Sequence, residues 1–199
     1  MDRETKIGAF LVAGGAAVAG AAWWSTRDED GGILETAMDA ITLLTSSETS
    51  RMDKLLPEVG DRLLELIAVL ADRGIKVYVG QTLRTAAQER ANVEAGKTSA
   101  GLRYSWHELG RAVDLYPVDP ATGKADLQGR RVDLFIEMHK AAKAIGWRGI
   151  AFEADGVTKH NLRNAKGRPV WDGGHLEWRA PYATILAAIA AEGAAYGIG

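Results

Sequence analysis

The segments SWHELGRAVD at residues 105–114 and WDGGHLEW at residues 171–178 are the most informative part of this chain. Val113 and Leu115 predict a short, largely buried strand at the end of the first segment. Because successive side chains of a strand point to opposite faces, Asp114 is expected to project away from these two apolar residues. A buried strand that presents one acidic residue on its open face is typical of a site.

His107 and His175 supply the remaining donors. Gly110 permits the tight backbone path that returns His107 toward Asp114, and Asp172 stands three positions before His175. A catalytic zinc takes three protein ligands and leaves one position for water, whose pKa falls to about 7 when it is bound. A neighbouring carboxylate can then accept the proton of that water. The two segments therefore predict a hydrolytic zinc site.

A single histidine near a carboxylate is more often structural than metal-binding, so the prediction depends on the joint pattern. The chain has four histidines, and two of them lie in the quoted segments. His139 lies in a helical pattern and His160 in a polar loop, and both are expected to be structural or exposed. Glu108 is expected to be solvated. Glu177 shares a strand face with His175, so it is expected to orient a ligand or a substrate amine.

The pattern S-x-H-x-x-G-x-A-x-D followed by D-x-x-H-x-E resembles the D-alanyl-D-alanine carboxypeptidase, VanY and L-alanyl-D-glutamate endolysin family of bacterial and phage zinc peptidases. The resemblance implies that His107, Asp114 and His175 bind Zn²⁺ and that Asp172 is the general base. It extends roughly from residue 54 to residue 178.

A third segment, QTLRTAAQ at residues 81–88, resembles the G-Y-R-T-x-x-E-Q segment of that family. This similarity implies that Arg84 polarises the substrate carbonyl and that Gln88 accompanies it. Gln88, Ser105 and Glu177 are thus the residues expected to support the ligands or to contact substrate.

The resemblance implies hydrolysis of an amide bond in peptidoglycan stem peptides. The D-G-G-H-L-E sequence at residues 172–177 is closer to the D-x-x-H of the L-alanyl-D-glutamate endolysins than to the E-x-W-H of enzymes that cut D-Ala-D-Ala, although Gly-Gly stands where Pro-Pro is common. An L-alanyl-D-glutamate endopeptidase is the favoured interpretation. A D,D-carboxypeptidase remains open, and so does a wall-degrading component of a virion or a non-catalytic zinc domain.

Composition narrows the class of protein. A chain of 199 residues with 47% hydrophobic content is long enough for one ordinary domain and an appendage. Its formal net charge of −2 gives none of the basic character that nucleic-acid binding requires, so no nucleic-acid partner is expected. The absence of cysteine excludes disulfides and thiolate ligands, but leaves the compartment open.

Residues 7–24 form an uncharged run of eighteen positions. As a helix the run would be about 27 Å long, close to the roughly 30 Å of a hydrocarbon core. It is compatible with a cleaved signal peptide, a retained anchor, a releasable anchor like those of some phage endolysins, or a helix packed among the proteins of a phage particle. Membrane engagement is favoured. The enzyme is then expected to be membrane-anchored or released into the periplasm and cell-wall space, with a virion-associated location as the alternative.

The expected organisation has three parts: a hydrophobic membrane-anchor or signal-like helix at residues 1–27, a linker with a short amphipathic helix at residues 28–50, and a zinc peptidase domain at residues 51–199. The apolar spacing from Leu34 to Leu44 predicts that the amphipathic helix ends at Ser46 and Ser47. Further helices are predicted from Met52 to Gly74, over residues 85–94, 134–145 and 182–195, with a strand over residues 76–81. The predicted fold class is α+β, a small antiparallel sheet carrying the zinc site and flanked by helices, with an N-terminal hydrophobic helix.

Overall fold

The computed structural model describes residues 44–97, 105–164 and 166–196. The hydrophobic run at residues 7–24, and the predicted amphipathic helix except its end at residues 44–47, lie outside these ranges. Among the residues that the structure describes, no helix has the length and apolar character needed to cross a membrane.

Helices and short strands alternate along the described chain. The helices are α1 (Ser46–Met52), α2 (Pro57–Asp72), α3 (Ala86–Ala95), α4 (Val132–Ala144) and α5 (Ile185–Glu192), the last followed by a 3₁₀ turn at Gly193–Tyr196. The strands are β1 (Val77–Val79), β2 (Ala112–Asp119), β3 (Lys124–Ala125), β4 (Arg148–Gly149), β5 (Leu162–Arg163), β6 (Pro169–Val170) and β7 (His175–Glu177).

The main sheet is small and antiparallel, as predicted. Its strand order is β1-β2-β7-β4, and β3 pairs with the far end of β2. The register sets Asp114 opposite His175 and Tyr116 opposite Tyr78. Strands β5 and β6 form a separate hairpin within the polar segment that precedes β7.

The two faces of the sheet have different roles. Val79, Val113, Leu115 and Leu176 are fully buried on one face, where they join a core built with apolar residues of α2 and α4. The alternation of the strands then leaves Asp114 and its neighbours on the other face. The hydrophobic effect thereby fixes which face of the sheet carries the polar side chains.

The start of the predicted helix from Met52 is wrong in the structure. Pro57 is the first residue of α2, and a proline disfavours helical backbone at the residue before it while fitting the first helical position well. The chain therefore forms two helices here, separated by Asp53–Leu56.

The predicted helix end at Ser46 and Ser47 is also wrong, because these residues begin α1. Thr45 caps α1, accepting a hydrogen bond from the Glu48 N–H while the Glu48 carboxylate accepts one from Thr45 N. Glu48 also accepts a hydrogen bond from Val79 N at 3.0 Å. Helix α1 crosses the domain boundary expected at residue 50, and it lies against the edge of the sheet.

A buried arginine attaches the C-terminal helix. The Arg111 guanidinium contacts Glu192 of α5 and Glu58 of α2, each at 2.7 Å, and donates to the Ala180 carbonyl at 2.7 Å. It also lies over the Tyr182 ring. Arg111 follows the turn that carries His107, so this network holds the entry to β2 in place.

Candidate metal centre

Three donor atoms converge on the polar face of the sheet. His107 Nε2 lies 3.1 Å from His175 Nδ1 and 3.2 Å from Asp114 Oδ1, and His175 Nδ1 lies 3.4 Å from the same Asp114 oxygen. A tetrahedral zinc with bonds of about 2.0–2.1 Å has ligand atoms about 3.3 Å apart. The separations of the three donors fit one metal ion.

The hydrogen bonds of the two imidazoles determine which nitrogen faces inward. His107 Nδ1 lies 2.5 Å from the Thr82 carbonyl, and His175 Nε2 lies 3.1 Å from a Glu177 carboxylate oxygen. Because these oxygens can only accept, each outer nitrogen is the donor, and in a neutral ring the inner nitrogen then carries a lone pair. Two lone pairs and a carboxylate oxygen at such short range repel one another unless a cation or a proton lies among them. This donor set suits zinc.

The pKa values of His175 and Asp114 are strongly shifted by their neighbours in this cluster. Although burial opposes it, hydrogen bonds to Asp114 and Glu177 raise the pKa of His175 to about 10. Burial also opposes ionisation of Asp114, but the two imidazoles hold the pKa of that carboxyl far below its usual range. The centre therefore favours a positive charge, supplied by a proton or by a metal ion.

His107 is positioned by a tight turn between residues 105 and 110. Ser105 Oγ accepts a hydrogen bond from His107 N at 3.3 Å, and Ser105 N donates to Glu108 at 2.9 Å. Gly110 closes the turn with φ of 62°. Glu108 is buried, contrary to the expectation that it is solvated, and burial raises the pKa of its carboxyl. In this structure Ser105 supports the backbone that carries His107.

Asp114 and His175 are cross-strand partners, so the pairing of β2 with β7 brings these two ligand candidates together. Glu177 follows on the same face of β7 and bonds both His175 and Arg179. Although burial opposes it, His175 and Arg179 hold the pKa of Glu177 below its usual range. Glu177 is thus an ionised group whose hydrogen bond orients the His175 ring.

Asp172 lies in the loop before β7 and lines a cleft of about 90 Å³ with Tyr116, Gln128 and Trp171. Burial raises the pKa of its carboxyl and the charge of Asp114 adds to this rise, while His175 opposes it. Among the described residues, no hydrogen bond to the Asp172 side chain is found. Its oxygens are therefore available to water or substrate.

The Gly-Gly pair after Asp172 has a steric reason. A Cβ at Gly173 would lie 2.6 Å from the Trp171 ring, and a Cβ at Gly174 would lie 2.8 Å from the Tyr116 ring. Both approaches are closer than van der Waals contact allows. The rings of Trp171 and Tyr116 therefore favour glycine at these positions.

Arg84 lies near the centre, with Nη2 3.8 Å from the second oxygen of Asp114. Its guanidinium donates to the Gln81 side chain, and Nη1 contacts Glu89 of α3 at 2.5 Å. Arg84 is itself buried. The structure thus holds it rigidly beside Asp114.

The residue of α3 that accompanies Arg84 is Glu89, whereas the sequence favoured Gln88. Gln88 is exposed, and its side chain forms a capping box with Thr85 at the start of α3. The signal was present in the sequence, because Gln three positions after a threonine cap is typical of that motif. In this structure the Gln88 side chain therefore caps α3, and the contact of α3 with Arg84 is made by Glu89.

His139 contributes to the site, as do Thr82, through its carbonyl, and Tyr116, although the sequence patterns assigned none of them to it. His139 extends from α4 and its Nε2 lies 2.8 Å from the Gly173 carbonyl, so it supports the loop that carries Asp172. Burial lowers the pKa of its imidazole. His160 is only partly exposed, and its Nε2 lies 3.8 Å from a carboxylate oxygen of Glu153.

Comparison with known proteins gives one fold-level similarity to report. No protein-family model matches the chain, and no curated protein is significantly similar to it. The fold is similar to the crystal structure of the L-Ala D-Glu endopeptidase ChiX of Serratia marcescens, with a TM-score of 0.47 and 19% sequence identity. The alignment covers 68% of this chain and 88% of that one.

Proposed function

We propose that this protein is a zinc-dependent peptidoglycan peptidase that hydrolyses stem peptides, with the L-alanyl-D-glutamate bond as its target. The observation that carries the proposal is the convergence of His107 Nε2, His175 Nδ1 and Asp114 Oδ1, with both outer nitrogens engaged as donors. The similarity of the surrounding motifs to the D-alanyl-D-alanine carboxypeptidase and endolysin family supports the substrate class.

His107, Asp114 and His175 would hold the metal. Bound zinc supplies Lewis acidity, which lowers the pKa of a bound water and polarises a carbonyl. Glu177 and the Thr82 carbonyl keep the two imidazoles in the tautomers that leave their inner nitrogens free to bind.

Asp172 acts as general base and then as general acid. It accepts a proton from the attacking water as the new C–O bond forms at the amide carbon, and it returns the proton to the amine as the C–N bond breaks. Arg84 donates hydrogen bonds to the substrate oxygen as negative charge develops there. The products are a carboxylate and a free amine.

The test is digestion of purified peptidoglycan with zinc-loaded protein, followed by mass spectrometry of the soluble muropeptides. The expected products carry a new D-glutamate amine. Asp172→Asn and His175→Ala are expected to abolish release, whereas His160→Ala, at a partly exposed histidine that does not contact the three metal-ligand candidates, is expected to match the wild type. Release of free D-alanine alone would assign the protein to D,D-carboxypeptidases. Intact peptidoglycan with zinc-loaded wild type would favour the non-catalytic zinc domain.

We also propose that the enzyme acts in the cell-wall space and reaches it through residues 7–24, whose uncharged length supports membrane engagement. Fractionation of cells that express the chain with and without its first 24 residues tests this. Association of the full chain, but not the shortened one, with membranes is expected. Recovery only with phage particles would support the virion-associated alternative.

A further inference from the structure

Tyr116 stands on the polar face of the sheet, two residues after Asp114 on β2. The alternation of the strand puts the two side chains on the same face, and the pairing of β2 with β7 sets His175 directly opposite Asp114. Tyr116 is therefore the next side chain along the strand that carries a metal-ligand candidate.

The Tyr116 ring is held between two glycines of neighbouring segments. A Cβ at Gly80 would lie 2.7 Å from ring atom Cε2, and a Cβ at Gly174 would lie 2.8 Å from Cε1. The two glycines approach opposite edges of the ring, one after β1 and the other immediately before His175. This arrangement leaves the ring little freedom and fixes the direction of its hydroxyl.

The Tyr116 side chain lies in a region of acidic charge. Tyr116 lines the cleft of about 90 Å³ together with Asp172 and Gln128, and it interacts electrostatically with both Asp114 and Asp172. Within the described parts of the chain, the Tyr116 hydroxyl has no hydrogen-bond partner. A phenol is a hydrogen-bond donor at neutral pH, so a rigid donor faces the cleft beside the general base.

We propose that Tyr116 contacts the substrate, its hydroxyl donating a hydrogen bond to a carbonyl or carboxylate oxygen of the peptide bound beside the scissile amide. The proposal rests on the peptidase function proposed above and deepens it. A neutral hydroxyl suits this position beside two carboxylates. It can donate a hydrogen bond to an acidic peptide, whereas a cationic side chain would form a lasting ion pair with Asp172. Gln128 offers a second neutral polar group to the same cleft.

The experiment compares Tyr116→Phe with Tyr78→Phe. Phenylalanine keeps the ring between Gly80 and Gly174 and removes only the hydroxyl. Tyr78 is the cross-strand partner of Tyr116, and its ring is covered by the Arg51 guanidinium, so it is a matched control on the same face. Steady-state kinetics use a synthetic stem peptide with zinc-loaded protein. Calorimetry measures binding of the same peptide to each variant in an Asp172→Asn background.

Tyr116→Phe is expected to raise both KM and the dissociation constant about tenfold, the usual consequence of one lost hydrogen bond in a binding site. The metal content, melting temperature and kcat are expected to stay near wild-type values. Tyr78→Phe is expected to change none of these quantities.

The role of Tyr116 would be overturned if wild type hydrolyses the peptide and the KM and dissociation constant of Tyr116→Phe lie within twofold of the wild-type values. The peptidase function would then remain intact. An equal effect of Tyr78→Phe, or loss of zinc from Tyr116→Phe, would assign the residue to the sheet instead. If wild type does not hydrolyse the peptide, the peptidase function fails, and the binding comparison still decides Tyr116. A wild type that does not bind the peptide either would overturn both proposals.

Discussion

Glu89 is the side chain on which the position of Arg84 depends. Both residues are buried, and Glu89 Oε1 is the only side-chain polar atom, among fully buried ones in the described ranges, without a hydrogen-bond partner. A buried guanidinium whose charge partner is removed keeps its desolvation penalty. Glu89→Gln is expected to lower the free energy of unfolding by about 2 kcal/mol because it removes the charge but keeps an acceptor. We expect kcat/KM to fall about tenfold as Arg84 loses its fixed orientation.

Urea unfolding and steady-state kinetics measure the two effects. Gln88→Ala is the neighbouring control, since it removes a helix cap worth about 0.5–1 kcal/mol and leaves Arg84 untouched. Its kcat/KM is expected to equal that of wild type. A loss of kcat/KM in Gln88→Ala as large as that in Glu89→Gln would contradict the assignment of Glu89.

His139 gives the protein a pH dependence of stability that its environment determines. Burial lowers the pKa of its imidazole from 6.5, although the bond to the Gly173 carbonyl opposes this. The unfolded chain then binds a proton more readily than the native one. The stability that neutral His139 contributes to the native state is therefore fully present above pH 6.5. It is lost as the pH falls through the pKa of His139 in the native state.

His139→Gln keeps a donor near the Gly173 carbonyl and removes this titration. We expect the difference in unfolding free energy between wild type and variant to be constant above about pH 7 and to change in favour of the variant at lower pH. Urea midpoints measured from about pH 5 to about pH 8 check this. A difference that stays constant over the whole range would exclude His139 as the source.

Close packing where β2 pairs with β7 leaves little room for a larger residue at Gly174. A Cβ at Gly174 would lie 3.0 Å from the Leu115 carbonyl oxygen as well as against the Tyr116 ring. A backbone oxygen cannot move without disturbing the strand pairing. Gly174→Ala is expected to destabilise the protein by about 2 kcal/mol and to weaken zinc binding, because His175 is the next residue. Thermal unfolding and competition with a zinc chelator measure both effects.

Gly60 in α2 provides a control, because alanine at this position is expected to stabilise the protein rather than destabilise it. No atom of the residues that the structure describes, apart from the backbone of the helix itself, lies within 4 Å of a Cβ built at this position. Alanine has the higher helix propensity, so Gly60→Ala is expected to raise the free energy of unfolding by about 0.5–1 kcal/mol without altering zinc affinity. A destabilised Gly60→Ala would mean that α2 is packed more tightly there than the structure indicates.

Strands β1, β2 and β7 and most helices follow from local patterns in the sequence, whereas the short strands β3, β5 and β6 do not. Alternation at Val113–Leu115 predicts β2 and its polar face, and apolar spacing predicts the body of α2 and α4. The errors at Ser46 and Met52 have local causes as well. The Thr45–Glu48 capping box and the position of Pro57 define where α1 and α2 begin, and apolar spacing alone does not contain either signal.

The site is predictable only where its residues lie within recognisable motifs. His107, Asp114 and His175 meet because their spacing is tied to strand register. The partnership of Glu89 with Arg84 depends on how α3 packs on the loop before it. The enclosure of Tyr116 depends on glycines more than thirty residues away in either direction along the chain. Contacts of this kind arise from tertiary packing, and no local pattern specifies them.

The candidate metal centre joins three parts of the molecule: the turn at residues 105–110, strand β2, which follows it directly, and strand β7, which is far away in sequence. Without a cation, the inner nitrogens of His107 and His175 and the oxygen of Asp114 face one another at 3.1–3.4 Å. Protonation of His175 relieves this repulsion, but it leaves only hydrogen bonds to hold the three parts together. Binding of a metal by the native state alone adds its full binding free energy to stability.

Removal of metal with a chelator is therefore expected to lower the melting temperature, and addition of Zn²⁺ to restore it. A free zinc concentration about a thousandfold above the dissociation constant stabilises the native state by about 4 kcal/mol. His175→Ala and Asp114→Asn are expected to melt at the same temperature with and without zinc, while His160→Ala retains the shift. Differential scanning calorimetry on chelated and zinc-loaded protein measures these differences. Equal melting temperatures for both forms of the wild type, with no zinc retained after gel filtration, would refute a metal centre at these residues.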